Sequence, residues 1–327
     1  MIVLGIETSC DETAASVVAD GTAVRSSVVS SQIDLHARYG GVVPEVASRA
    51  HIELLTPVVD ESLARAGVAR PDAVAATYGP GLVGSLLVGL SAAKALAMSW
   101  DVPFVGVNHL EGHLFAPLIE EGDLGWPLVV LLVSGGHTLL VEMRGPGRYR
   151  LLGQTIDDAA GEAFDKVARY LGLGYPGGPA VDRIASEGDP AAFAFPRALR
   201  GERFDFSFSG LKTAVVRAVE RRPDAPTADV AASFQEAVVD VLVTKAARAV
   251  AAVGARGLCL GGGVAANSLL RRRAKGAVDV PTYVPSLAMC TDNAAMVAAA
   301  GSFRLARDGP SPWSLAAEPN LSLDFIP

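Results

Sequence analysis

MIVLGIETSCDETAASVVA, residues 1–19, reads as an apolar run, a polar turn and a second apolar run. Met1–Ile6 has the length and composition of a buried strand, and Ala14–Ala19 of a second. Between them Glu7-Thr8-Ser9-Cys10-Asp11-Glu12-Thr13 carries three acids and three hydroxyls, more polar chemistry than a simple turn needs. The pattern returns at Leu128–Met143. Leu128–Val133 is wholly apolar, Ser134-Gly135-Gly136-His137-Thr138 is small and polar, and Leu139–Met143 resumes as a strand. Two such units predict a duplicated α/β architecture: two similar lobes facing each other across a ligand cleft. Gly135 and Gly136 would let backbone N–H groups come close to an anion. A tight turn also uses glycine, but turn geometry alone leaves Ser134 and Thr138 unexplained.

A third glycine element follows the short apolar run at Leu258–Leu260, in Gly261-Gly262-Gly263-Val-Ala-Ala-Asn267. Glycines between a strand and a helix start suit phosphate or adenosine at the helix N-terminus. Asp157 and Asp158 open a predicted helix and suit its dipole as caps. Asp165 lies deeper in that helix, and Asp182 on the next; paired aspartates could hold the hydroxyls of a sugar.

The chain has five histidines, and two of them stand four apart in His109-Leu110-Glu111-Gly112-His113. On a helix such a pair shares one face and can grip a single transition-metal ion. An ordinary pair of surface or core histidines has the same spacing. Here the pair follows Val102–Asn108, which reads as a buried strand. Glu111 sits about 200° around the helix from His109, so it points away from the shared face. That excludes the base arrangement of HExxH metalloproteases. Asp292, ahead of a predicted helix at Ala294–Ala306, is either an N-cap or a third, oxygen ligand.

The 327 residues carry a net charge of −7, which argues against a uniformly basic nucleic-acid surface. A local cluster at Arg271, Arg272, Arg273 and Lys275 could still meet a phosphate backbone, or be a solvated helix end. Three scattered cysteines make neither a disulfide framework nor a zinc knuckle and fit a reducing cytoplasm. The start of the chain lacks a signal-peptide pattern. Ala73–Ala93 runs uncharged for 21 residues, but Gly79-Pro80-Gly81 cuts it into a strand and a helix.

Strand, polar hairpin and strand at the head of a chain resemble the actin, sugar kinase and Hsp70 superfamily. The combined motifs resemble one branch of it: the tRNA N6-adenosine threonylcarbamoyltransferase family, in its bacterial form. They are GIETSCDET from Gly5, YGGVVPEVASR from Tyr39, GPGLVGSLLVG from Gly79, HLEGH from His109, LVSGGHT from Leu132, DDAAGEAFDK from Asp157, YPGGP from Tyr175, FDFSFSGLKT from Phe204, GGGVAAN from Gly261 and CTDNAAM from Cys290. They span nearly the whole chain in the family's order.

The resemblance implies a two-lobed actin-like fold, with residues 1–107 and 294–327 in an N-terminal lobe and 108–293 in a C-terminal lobe holding the metal and nucleotide motifs. It implies transfer of a threonylcarbamoyl group from threonylcarbamoyl-AMP to N6 of adenosine 37 in tRNAs reading ANN codons, with release of AMP. Carried over, the metal ligands are His109, His113 and Asp292, for one divalent ion per subunit, Fe²⁺ or alternatively Zn²⁺. The substrate-binding positions are Leu132, Val133, Ser134, Gly135, Gly136, Asp165, Gly178, Asp182 and Asn267. Glu12 or Asp11 is the candidate to accept the amine proton. The implied partners are tRNA, a smaller inactive paralogue of the same fold, and a P-loop ATPase. The rival readings are an actin-like-fold ATPase and a noncatalytic scaffold of that fold.

Overall fold

The first apolar run becomes the middle strand of a five-stranded sheet. In a computed structural model of the chain, which describes every residue except Asp123, Arg200, Glu202, Asp324, Ile326 and Pro327, contacts divide the molecule into two α/β units. Unit 1 is Met1–Asp123 with Thr291–Asp324, and unit 2 is Leu124–Cys290 with Phe325–Pro327.

Unit 1 begins with strands β1 (Ile2–Glu7), β2 (Glu12–Ala19) and β3 (Ala23–Ser31), followed by helices α1 (Ile33–Ala37) and α2 (Pro44–Ala66). Then come β4 (Ala73–Gly79), α3 (Val83–Trp100), β5 (Phe104–Asn108) and α4 (His109–Glu121). The sheet order is β3-β2-β1-β4-β5, antiparallel on the β2 side and parallel on the β4 side. β1 and β4 are buried almost throughout, as uninterrupted apolar runs require. β3 is not expected from the sequence: its serines hide a period-two pattern in which Ser26 and Val28 point inward at a sheet edge. Pro57 does not break α2, because Leu55, Val58 and Val59 hold that turn in the core. α3 is long and apolar enough to cross a membrane; its Leu86, Leu90, Ala93 and Ala97 are buried.

Unit 2 runs β6 (Leu128–Val133), β7 (Thr138–Met143), β8 (Tyr149–Gln154), α5 (Ala160–Tyr170), α6 (Gly177–Ala185), α7 (Ser209–Arg221), α8 (Thr227–Val253) and β9 (Gly257–Gly261). A short 3₁₀ turn at Gly263–Ala266 leads to α9 (Ser268–Lys275), β10 (Thr282–Tyr283) and α10 (Leu287–Cys290). The chain then returns to unit 1 as α11 (Ala294–Asp308). The second sheet has the order β10-β9-β6-β7-β8. β6 and β7 are antiparallel, and β9 lies parallel to β6, so the sheet repeats the first strand for strand. Phe164, Phe206, Phe208 and Phe234 fill its core with the long helix α8. Phe204–Lys212, whose alternation reads as a strand or an exposed loop, forms a single bridge at Phe206 and then starts α7.

Lobe boundaries at 107/108 and 293/294 differ from these units. α4 belongs to unit 1 because it packs on α11: a Cβ on Gly112 would sit 3.2 Å from Met296, and Phe115 meets Phe303 at 5.5 Å between centroids. All three predicted metal ligands therefore lie in unit 1, together with the β1–β2 hairpin.

Candidate metal centre and glycine hairpin

β5 ends at Asn108, whose side chain caps α4 by accepting from the Leu110 amide at 2.9 Å and the Glu111 amide at 3.4 Å. The cap sets the first turn of α4 so that His109 and His113 share one face. Both rings are buried, edge to face, with centroids 4.8 Å apart. Asp292 reaches them from the segment before α11. Its Oδ1 lies 3.6 Å from His109 Nε2 and 3.2 Å from His113 Nε2. The cap of α11 is Asn293, which accepts from the Met296 amide at 3.1 Å, so the N-cap reading of Asp292 gives way.

Three donor atoms from His109, His113 and Asp292 lie within 4.8 Å of one another and could hold a metal ion. Two observations fit such an ion. Among the described residues, neither ring nitrogen of the buried His113 makes a hydrogen bond, and Nε2 has only the Asp292 carboxylate beside it at 3.2 Å; a buried polar group without a hydrogen bond costs about 1–3 kcal/mol. A metal bond to Nε2 removes one of those costs. Two carboxylates, Asp292 and the fully buried Glu7, also converge on the histidines, and a divalent cation would balance them. The donor set of two imidazoles and a carboxylate leaves coordination positions open.

Glu7 is the residue that sequence reasoning missed. It ends β1, and its Oε2 lies 3.0 Å from His109 Nδ1 while accepting from Thr77 Oγ1 at 2.7 Å. Its Oε1 accepts from the Ser9 amide at 2.5 Å. Burial alone would raise the Glu7 carboxyl, but the His109 charge and hydrogen bond outweigh it and hold it below its ordinary value. Burial alone would lower His109, yet Asp292 and Glu7 together push it up to about 9. The signal was an acid as the last residue of an otherwise apolar strand.

Two of the three residues between the histidines of HLEGH also have structural roles. Glu111 points away from the histidine face, as its spacing predicts, and makes a two-pronged ion pair with Arg304 of α11 at 2.7 and 2.8 Å. Gly112 allows the close approach to Met296. Ligand residues on α4 and the ligand preceding α11 are thereby tied to one helix pair.

Asp11 and Glu12 sit in the same hairpin but outside the donor group. Burial, followed by Asp292 and Asp11, pushes the Glu12 carboxyl up to about 10. In the cation-free site, with Asp292 and Asp11 unbalanced beside it, it holds a proton at neutral pH. Burial and Asp11 likewise push up the Cys10 thiol.

In unit 2 the substrate-binding candidates form a set around β6. The Ser134 amide donates to the His137 carbonyl at 2.8 Å, and Ser134 Oγ accepts from the His137 amide at 3.2 Å. Thr138 Oγ1 accepts from the Ala160 amide at 2.9 Å, at the start of α5. Both hydroxyls thus have internal work, and they no longer argue for a ligand. The glycines do. Gly135 and Gly136 are absent from the positive-φ residues, and a Cβ on either would meet nothing within 4 Å. Neither positive φ nor close packing demands glycine there, and the exposed backbone of both residues is open to approach from outside the chain.

Leu132 and Val133 are buried sheet residues leading into that hairpin. The start of α5 lies against it, since a Cβ on Gly161 would be 2.4 Å from the Ser134 carbonyl oxygen. The glycine loop meets it too: Gly262, at φ 80°, would put a Cβ 2.4 Å from the Val133 carbonyl oxygen. Asp165 accepts from the Gly177 amide at 2.7 Å, where α6 begins, and Gly178 follows with open space at its Cα. Asp182 accepts from the Ser268 amide and hydroxyl at 3.0 and 2.8 Å. Asn267 caps α9 through the Leu270 amide at 3.0 Å and donates to Gln235 at 2.8 Å. The two aspartates fix loop and helix starts. Asp157 does not cap α5. It accepts from the Phe208 amide at 2.8 Å and from Ser209 Oγ at 2.7 Å, at the start of α7. Of the basic cluster, Arg271 donates to the Ala265 carbonyl at 3.2 Å and Arg273 pairs with Glu236, leaving Arg272 and Lys275 exposed.

A repeated five-stranded α/β unit, one copy bearing a His–His–Asp group and the other a glycine hairpin, is the actin-like class of fold. T. kodakarensis HypF superposes with a TM-score of 0.65 at 16% identity, over 93% of this chain and 48% of that one. Component A of the Acidaminococcus fermentans (R)-2-hydroxyglutaryl-CoA dehydratase gives 0.56 at 14%, over 94% and 100%. At such identities the likeness is one of fold. The family follows from sequence. Residues 23–299 match the TsaD family, tRNA N6-adenosine threonylcarbamoyltransferase. Relatives of that name from Symbiobacterium thermophilum and Anaeromyxobacter dehalogenans strain 2CP-1 are 54% and 57% identical. The first covers 100% of this chain and 96% of its own length, the second 97% and 98%. The chain belongs to the tRNA N6-adenosine threonylcarbamoyltransferase family and is an enzyme of that kind.

Proposed function

We propose that the chain transfers the threonylcarbamoyl group from threonylcarbamoyl-AMP to N6 of adenosine 37 in tRNAs that read ANN codons, releasing AMP. The observation that carries this beyond family membership is the His109–His113–Asp292 group, with both rings buried and no hydrogen bond made by His113. An ATPase or a scaffold of this fold has no need of it. We assign the site to Fe²⁺, with Zn²⁺ as the alternative, on the mixed nitrogen and oxygen donor set. A divalent ion held there supplies Lewis acidity and a template for the oxygens of the acyl donor.

The chain's own residues hold the substrate. The open Gly135 and Gly136 amides suit the donor's phosphate or the developing negative charge. Asp165 and Asp182 have lone pairs for ribose hydroxyls, and Asn267 with the Gly261–Gly263 loop suits the adenosine. Glu12 or Asp11 is our candidate to accept the amine proton once a cation balances the charge of Asp292, to be tested by single-turnover transfer in Glu12→Ala and Asp11→Ala with metal content intact. We place the enzyme in the cytoplasm with two protein partners, a smaller paralogue and a P-loop ATPase. In support, Ile52 of α2 and Val83 and Leu87 of α3 are exposed beside the close Ser48–Gly84 crossing, an apolar face suited to helical contact.

The test is a transfer assay with labelled threonylcarbamoyl-AMP, unmodified tRNA and the partner proteins. Label entering tRNA with the wild type and lost in His109→Ala is the expected result. Rapid ATP hydrolysis with no label transferred would favour the ATPase reading.

A further inference from the structure

We propose that Glu7 is a positioning residue for the metal site: its carboxylate fixes the tautomer and ring angle of His109, so that Nε2 carries the lone pair and Nδ1 the proton. The inference rests on the metal reading above. His109 offers two ring nitrogens, and only one can face Asp292. Nε2 lies 3.6 Å from Asp292 Oδ1, on the side of His113. Nδ1 lies on the other side, 3.0 Å from Glu7 Oε2. An ionised carboxylate accepts and never donates, so a hydrogen bond at that distance puts the proton on Nδ1. Nε2 is then the nitrogen left to a cation, which displaces the proton there.

Glu7 is held so that it cannot turn aside. It is wholly buried at the end of β1. Thr77 Oγ1, on the neighbouring β4, donates to the same Oε2 at 2.7 Å, and the Ser9 amide donates to Oε1 at 2.5 Å. Among the described residues its one ion-pair partner is His109. A carboxylate with no lysine or arginine beside it, buried in a strand end and aimed at a histidine, is poorly explained by fold stability. An apolar residue would end the strand at lower cost. Carboxylate support of a metal-bound imidazole accounts for it, and such outer partners commonly contribute ~10–100-fold to metal affinity. His113 has no such partner at Nδ1 among the described residues, so the support is specific to His109.

The substitution that isolates this role is Glu7→Gln, which keeps shape and removes an acceptor. With its oxygen toward Ser9, the amide NH₂ faces His109 Nδ1 and turns the ring's proton to Nε2, the metal-facing atom. With its oxygen toward His109, the NH₂ opposes the Ser9 amide. The experiment titrates Zn²⁺ and Fe²⁺ into metal-stripped wild type and Glu7→Gln against a competing chelator, with thermal unfolding to check folding. The expected result is a folded variant whose metal affinity is ~10–100-fold weaker. Equal affinity in both proteins would overturn the proposal while leaving the metal reading intact. No binding by the wild type would overturn the metal reading and this inference with it. A second measurement needs no variant: ¹⁵N-histidine NMR of the Zn²⁺-loaded wild type. Proton on Nδ1 and metal on Nε2 of His109 is the expected signature, and the reverse would overturn the proposal even if Glu7→Gln failed to fold.

Discussion

The first strand of unit 1 ends in a buried acid; the turn after the equivalent strand of unit 2 exposes two glycines. Both lie at the end of the middle strand of a five-stranded sheet with the same order and the same mix of parallel and antiparallel neighbours. In the first, Glu7 is fully buried and turned toward a histidine. In the second, Gly135 and Gly136 are exposed with clear space where a side chain would be. On the reading proposed above, the same end of the scaffold would suit a cation in one copy and an anion in the other, and the difference lies in the side chains placed there rather than in the strand order.

The sharpest way to break this contrast is in unit 1. Asp292→Ala and His113→Ala each remove a ligand, and label transfer should fall by more than the ~100-fold associated with an outer partner. Metal content, read by elemental analysis, should fall with it. Retained metal with full activity would make the cluster structural.

Unit 2 offers the matching test. Gly262→Ala meets both a φ of 80° and the Val133 carbonyl, so unfolding in urea should show a loss of about 1–3 kcal/mol. Gly135→Ala meets neither, and should change stability by less than about 0.5 kcal/mol. It should nevertheless weaken AMP binding measured by calorimetry, because the new methyl intrudes on the approach to the amides. Unchanged AMP affinity in Gly135→Ala would reduce the hairpin to an ordinary turn.

Proton competition is the next effect. His109 is pushed up to about 9 in the cation-free site, and a metal must displace that proton. Apparent metal affinity should therefore rise roughly tenfold per pH unit up to about 9 and then level off. A flat profile between pH 6 and 8 would mean that His109 is not a ligand.

The smallest effect concerns a histidine outside the metal group. His51 is buried, its Nδ1 2.8 Å from Thr13 Oγ1 and its Nε2 3.0 Å from the Cys10 carbonyl. Burial lowers its pKa below the ordinary 6.5, against the smaller raising effect of the Cys10 carbonyl. The unfolded chain then binds a proton first as pH falls. The stability from neutral His51 is present above about 6.5 and declines below it. Thermal unfolding from pH 7.5 to 5.5 should show that slope in the wild type and a shallower one in His51→Gln. Equal slopes would assign the pH effect to other groups.

Much of the fold was legible because its central strands are uninterrupted apolar runs. β1, β4, β6 and β9 could be read directly. β3 could not, since an edge strand rich in serine imitates a loop. The His109–His113 pair was visible from helical spacing, and Glu111 was correctly turned away from it. Asp292 was ambiguous between cap and ligand until Asn293 proved to be the cap. Glu7 was invisible as a functional residue because its partners, Thr77 and His109, are distant in sequence. For the glycine hairpin, the expectation rested on Ser134 and Thr138, whose hydroxyls turn out to bond within the fold. The better argument, open space at Gly135 and Gly136, requires coordinates. A strand-to-helix junction at residue 108 reads as a division in the sequence, while α4 is bound to α11 by Glu111, Gly112 and Phe115, a packing that only coordinates show.

The most direct measurement is metal stoichiometry coupled to transfer. Wild type and His113→Ala are stripped by chelator, reloaded with Fe²⁺ or Zn²⁺, and assayed for bound ion and for label entering tRNA. The account predicts one ion per wild-type chain, transfer that disappears on stripping and returns on reloading, and neither in the folded variant. Full transfer by the stripped wild type, or an ion retained by His113→Ala, would contradict it.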